Sequence, residues 1–160
     1  MIAADTPIGN AVDATGIEQA DGPRGRGLEI ADLLAFIKRA GICNTLWLTA
    51  DLHYTAAHYY DPNRAAFQDF EPFWEFVSGP LHAGTWTAVT LERTFGPQVV
   101  FHKAASATQG DNLAPCYGLQ FFGQAMIDGA TGSLTVTLKD VEDHTLWSIT
   151  LDPGQQIRRS

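Results

Sequence analysis

The spacing of apolar residues changes along the chain, and each change marks a structural boundary. Ile30, Leu33, Leu34 and Ile37 recur at i, i+3, i+4 and i+7, the pattern that lines one face of a helix. The spacing predicts a helix over residues 28–40, with Phe36 widening its apolar face. Glu29 and Asp32 near its start, and Lys38 and Arg39 in its last turn, complement the helix dipole; Gly41 supplies a C-terminal cap. Thr45-Leu46-Trp47-Leu48-Thr49-Ala50 is a short continuous apolar run, as in a strand covered on both sides. If Ile2-Ala3-Ala4 ends the preceding strand, strand, helix and strand form one βαβ-like unit. Phe73-Trp74-Glu75-Phe76-Val77 predicts a further strand, stopped by Ser78-Gly79-Pro80, and Val99-Val100-Phe101 a short one. From residue 119 the period becomes two: Leu119, Phe121, Gly123, Ala125 and Ile127, then Leu134, Val136 and Leu138, then Trp147, Ile149 and Leu151. Alternation broken by Asp128-Gly129-Ala130-Thr131-Gly132 and by Glu142-Asp143 predicts an antiparallel meander.

The fold class is therefore α/β, one βαβ-like unit followed by a mostly antiparallel β meander, in a single domain over residues 1–160. Residues 5–27, rich in Gly, Pro, Asp and Asn, predict a long surface loop. Residues 61–72, 81–97 and 104–117 are loop-like or irregular, and 153–160 form a tail. A strand tail at Met1-Ile2-Ala3-Ala4 that meets Asp5-Thr6-Pro7 at once gives the expectation that the chain begins inside a larger protein.

Composition narrows the function classes. At 45% hydrophobic and 18% charged, the chain is of the globular type. No apolar run approaches the ~20 residues of a membrane helix, so no membrane span is expected. The net charge of −8, with 10 Lys and Arg in no cluster, argues against a nucleic-acid partner. Acidity leaves phosphate substrates open, because metal ions can supply positive charge locally. Cys43 and Cys116 lack the spacing of a metal knuckle and read as small buried residues. They leave the compartment open, and the first residues show no signal-peptide pattern.

The chemistry-bearing segment is Ala50-Asp51-Leu52-His53, where a hydrophobic strand runs into Asp-x-His. Ligand sites of open α/β sheets lie at the carboxyl ends of strands. In extended chain, residues two apart point the same way, so Asp51 and His53 can approach one metal or two adjacent ones. On spacing alone the alternative stands beside this: an Asp capping a turn and a His with a structural hydrogen bond. Two ligands are also fewer than a catalytic metal takes. Further ligand candidates are Asp5, His58 and His82. His58, at an odd spacing from His53, reads as structural. His82, in the loop after a strand, is a candidate substrate contact; exposure to solvent is the more ordinary reading. His102 and His144 read as surface positions. Phe67, Phe70, Phe73, Trp74 and Phe76 read most simply as core, with an aromatic substrate wall as the minority reading; Arg24 and Arg26 read as solvated loop residues, with contact to a phosphate ester as the alternative.

Several blocks carry a resemblance in the same order. They are Trp47-Leu48-Thr49-Ala50-Asp51-Leu52-His53-Tyr54-Thr55-Ala56-Ala57-His58-Tyr59-Tyr60-Asp61-Pro62, Phe73-Trp74-Glu75-Phe76-Val77-Ser78-Gly79-Pro80-Leu81-His82-Ala83-Gly84-Thr85, Thr94-Phe95-Gly96-Pro97 and Leu119-Gln120-Phe121-Phe122-Gly123. Together with Leu28-Glu29-Ile30-Ala31-Asp32-Leu33-Leu34 they resemble the C-terminal part of the PhoD-like alkaline phosphatases, of the metallophosphoesterase superfamily, and the resemblance covers nearly the whole chain. The resemblance implies a metallophosphoesterase-type sandwich, here partial, and a dinuclear site holding Fe, Ca, Mn or Zn. It implies a phosphate mono- or diester as substrate, with diesterases of phospholipase D type among similar proteins, and export as the family's usual destination. Ala50-Asp51-Leu52-His53 takes the place of the superfamily's last metal motif, Gly-His-x-His, which implies that Asp51 and His53 are metal ligands. The upstream Asp-x-His or Asp-x-Cys, Gly-Asp-x-x-Tyr and Asn-His-Asp/Glu motifs do not occur before residue 51, and Gly110-Asp111 lies downstream without the right Tyr. The catalytic residue is therefore not identified. Three readings follow: a half-site completed by another polypeptide or copy, an active hydrolase with a reduced site, and a structural or oligomerisation module without activity. A partial sandwich leaves apolar faces uncovered, so a homo-oligomer is expected.

Overall fold

A computed structural model describes residues 1–10, 23 and 25–153. In chain order the elements are β1 (Ile2–Ala3), α1 (Arg26–Arg39), β2 (Leu46–Thr49), β3 (Thr55–Tyr60), β4 (Phe73–Val77), β5 (Pro97–Lys103), β6 (Phe121–Ile127), β7 (Leu134–Asp140) and β8 (Thr145–Leu151). Five strands form a mixed sheet in the order β1-β2-β4-β3-β5, and three form a sheet in the order β6-β7-β8. β1, β2 and β4 run parallel, with Ala3 opposite Leu48 and Leu48 opposite Phe76; β3 is antiparallel to both β4 and β5. β1, α1 and β2 thus form the expected βαβ unit, and β6 to β8 the expected meander. The architecture is mixed α/β and compatible with a partial sandwich.

The two sheets pack face to face. Leu46, Trp74 and Phe76 of the large sheet share a cluster with Val136 and Leu138 of the meander, with Trp147 and Ile149 packed against it. The opposite face of the large sheet, through Trp47, Tyr60 and Phe73, packs on Ala31 and Leu34 of α1, on Ile8, and on Phe70 and Phe95. β3 and β4 lie between these layers, and all their residues are buried. That explains why β3 is hidden in the sequence: a strand covered on both faces has no polar alternation to announce it.

Three expectations need correction. Helix α1 turns its small residues inward, burying Gly27, Ala31, Leu34, Ala35 and Ile37, while Leu33 and Phe36 face out. Small side chains let the helix lie close to the sheet. In β6 only Phe121 is buried, and Met126 and Ile127 are exposed, because β6 is the edge strand of the smaller sheet. Cys43 and Cys116 are exposed free thiols, one just beyond α1 and the other in a 3₁₀ turn, rather than buried residues. The end of α1 matches its sequence signal. Gly41, in the left-handed region, donates to Lys38 O, and Ile42 N–H donates to Ile37 O across it.

The predicted loop over 5–27 also differs in part. Residues 7–10 are buried rather than at the surface, and α1 begins at Arg26; residues 11–22 and 24 lie outside the described residues, as do 154–160 of the predicted tail. What holds residues 7–10 is a polar hub under the sheet. Glu75, fully buried in β4, accepts Ile8 N–H on Oε1 at 2.8 Å and the Tyr60 hydroxyl on Oε2 at 2.8 Å. His58 Nδ1 lies 3.0 Å from the same Oε2, and Tyr60 Oη in turn accepts Gly9 N–H at 2.9 Å. A buried carboxyl with several donors around it leaves all of them unsatisfied when it is removed. Glu75→Ala is therefore expected to lower stability by about 3–5 kcal/mol in urea unfolding. Removing the exposed Lys38–Asp69 pair should cost less than about 1 kcal/mol in the same assay.

Candidate functional site

The parallel strands β1, β2 and β4 end on one side of the large sheet, and the loops that follow them carry the residues singled out from sequence. Ala50 N–H donates to Asp5 O at 2.9 Å and Ser78 N–H to Thr49 O at 3.0 Å, so the three strand ends are laced together. Asp5 and Asp51 thus follow neighbouring strand ends, both exposed.

The chain does not continue as extended strand through Asp51 and His53. Both residues sit in the left-handed region, at φ 60° and φ 56°, and Leu52 N–H closes a tight turn on Ala50 O at 2.7 Å. Strand alternation therefore does not describe this backbone, and Asp51 and His53 are not brought to one side by extended chain. A tight turn at the strand end, with Leu52 buried at its centre, sets the two side chains instead. Non-glycine residues hold such angles only where their surroundings over-determine them, and such positions cluster at functional sites.

The surroundings of His53 are specific. Its Nδ1 lies 2.7 Å from the carbonyl oxygen of Gly84. A carbonyl only accepts, so Nδ1 carries the proton and neutral His53 keeps its lone pair on Nε2. Its own carbonyl accepts Trp86 N–H at 2.9 Å, and the Trp86 ring stands edge-on to the imidazole, with centroids 6.1 Å apart. A ligating histidine whose second nitrogen donates to a backbone carbonyl is the usual support for a metal-binding imidazole. The donor types at Asp51 and His53 fit a metal in kind. Among the described residues, however, no three His, Cys, Asp or Glu side chains gather closely enough to hold one.

The other candidates separate. His58 is buried in the core against Glu75, and its Nε2 has no hydrogen-bond partner among the described residues. His82 is exposed in the loop that leads to Gly84. His102 and His144 are exposed, and Phe70, Phe73, Trp74 and Phe76 are core. Arg26 is exposed in the first turn of α1, and Arg24 lies outside the described residues. The support of His53 by Gly84 carries no signal in the sequence, because a backbone carbonyl 31 residues away comes with any residue type.

The arrangement places these residues at the carboxyl ends of parallel strands in a layered α/β protein, where open α/β sheets hold their ligands. The chain belongs to the PhoD-like phosphatase family, whose model matches residues 1–138. The match takes in Asp51, His53, His82 and Gly84 and stops within β7. The family is one of phosphoesterases that are generally metal-dependent. No curated protein matches the chain.

Beside His53, burial pushes the Tyr54 phenol up from 10 to about 12, and the Glu75 charge adds to the rise against a hydrogen bond with the Val89 backbone. Tyr60 is raised further, first by burial and then by Glu75. Both phenols hold their protons more tightly folded than unfolded. The stability this carries is complete below pH ~10 and is lost as pH rises through 10 toward 12. In an absorbance titration, Tyr54 and Tyr60 should ionise together with unfolding, and Tyr60→Phe should flatten the alkaline fall in stability above pH ~10.

Proposed function

We propose that this chain contributes to metal-dependent hydrolysis of a phosphate mono- or diester, with Asp51 and His53 as its share of the metal ligands. One observation carries the reading: His53 is held through Nδ1 by Gly84 O, so that Nε2 is the nitrogen left to bind, next to an exposed carboxylate at the end of β2. Asp51 is a hard oxygen donor and His53 a neutral nitrogen donor, a pair that suits Mn, Fe or Zn, with Ca favoured if further oxygens complete the shell. When bound, such ions supply charge neutralisation and Lewis-acid polarisation at a phosphoryl group. His82, exposed in the loop before Gly84, is the candidate contact to the ester.

Two donors do not complete a metal shell, so the remaining ligands come from groups other than the described ones. A second copy of the chain is one source. Leu33 and Phe36 on α1, and Met126 and Ile127 on β6, are exposed apolar side chains in keeping with an oligomer. The absence of a third converging donor among the described residues also favours a second reading, a non-catalytic module of the same family.

The test is elemental analysis and Mn²⁺ or Ca²⁺ titration of the purified protein, alongside hydrolysis of mono- and bis-nitrophenyl phosphate. The expected result is metal retained by the wild type, with affinity reduced at least ~10-fold by Asp51→Ala or His53→Ala and hydrolysis lost in parallel. Protein that takes up no metal and hydrolyses neither ester would overturn a working metal site in this chain alone, leaving the non-catalytic module or a half-site completed by another polypeptide.

A further inference from the structure

The loop at residues 110–113 has no part in the reading so far. Its Gly110-Asp111 pair resembles a fragment of a phosphoesterase motif but lies downstream of where that motif belongs. In space it lies against the segment that supports His53. Asp111 Oδ1 accepts both Thr87 N–H at 2.9 Å and the Thr87 hydroxyl at 2.6 Å. These two bonds, the hydroxyl's first, hold the Asp111 carboxyl below its ordinary range. Thr85 and Leu113 exchange backbone hydrogen bonds at 2.9 and 2.8 Å. Asn112 is packed so closely on Gly84 that a Cβ there would overlap Asn112 Oδ1 and sit 3.2 Å from its backbone carbonyl carbon. Gly110 and Asn112 are both left-handed, at φ 74° and 58°, which turns the loop back onto the 84–87 segment.

We infer that residues 110–113 act as a positioning loop: Asp111 pins Thr87 and Asn112 seats Gly84, so that the Gly84 carbonyl fixes the Nδ1–H tautomer of His53. This rests on the reading of His53 as a ligand through Nε2. The geometry requires both halves of the contact. The 84–87 segment grips His53 on both sides, by Gly84 O at the ring and by Trp86 N–H at the backbone. That segment is held in place from outside by the 110–113 loop. Gly84 takes no side chain here because the loop occupies the space.

The experiment is long-range ¹H–¹⁵N correlation on ¹⁵N-histidine-labelled protein at pH 8 with no metal added. There an ordinary imidazole is neutral. His53 is assigned by the signals lost in His53→Gln. The wild type should show Nδ1 protonated and Nε2 unprotonated. Asp111→Ala should move both nitrogens of His53 toward averaged shifts, with His102 and His144 unmoved. Asp111→Asn, which keeps an acceptor oxygen, should restore the wild-type pattern. If Asp111→Ala disturbs the remote histidines, Thr87→Val, which removes only the hydroxyl donor, carries the same test. A wild-type His53 protonated on Nε2, or an unchanged His53 signal in the loop variants, overturns the inference. The measurement needs neither metal nor substrate, so its failure is distinct from a failure of metal binding.

Discussion

The carboxyl of Glu75 lies where no water reaches it, and three residues from two separate parts of the chain converge on it: Ile8 from the N-terminal segment, and His58 and Tyr60 from β3. A fully buried acid is costly unless its oxygens are matched by donors. Meeting that requirement fixes several things at once. It pairs β3 with β4 in one register, because His58 must stand opposite Glu75. It draws residues 7–10 under the sheet, where Ile8 and Tyr60 join the α1-side cluster. With that layer in place, β1 is held at the edge of the sheet and the ends of β1, β2 and β4 align.

The two halves of the interior differ in character. Toward the meander the large sheet is aromatic and apolar, with Trp74 and Phe76 stacked and Trp147 tilted against both. Toward α1 it combines aromatic stacking, Tyr60 on Phe73, with the polar hub. The apolar side tolerates small adjustments of side-chain shape. The polar side does not, because hydrogen-bond geometry falls off steeply with distance and angle. The strand ends that carry Asp51 and Ser78 are therefore positioned by the less forgiving of the two layers.

Much of this architecture was legible in the residues. The period of α1, the apolar run of β2 and the alternation of β7 and β8 each announce an element through its own local pattern. The strand β3 did not, since Thr55, Ala56 and Ala57 are buried on both faces and show no alternation. The orientation of α1 was misread because its inward face is made of Gly27, Ala31 and Ala35, residues that hydrophobic patterning weighs lightly. At the site, Asp51 and His53 were visible as residue types, but their left-handed backbone was not, nor was the carbonyl that orients the ring. Backbone partners are the blind spot of sequence reading, since any residue provides a carbonyl.

The connections from the meander to the site loops also bear on when the site can exist. Phe121 N–H donates to Pro80 O, the Thr85 hydroxyl to Leu119 O, and the Gln120 amide to Ala83 O. Each bond joins the stretch around Gly84 to residues 119–121, which lead into β6, across 34 residues for Thr85 and 37 for Gln120, the Phe121 to Pro80 link being the longest. Such non-local closures surrender chain entropy before the contact returns anything. During synthesis, the turn at Asp51 and His53 emerges long before the segment that completes its surroundings. The imidazole is thus made well before the segments at residues 84–87 and 110–113 that hold it, so its native surroundings cannot exist until those segments have been added.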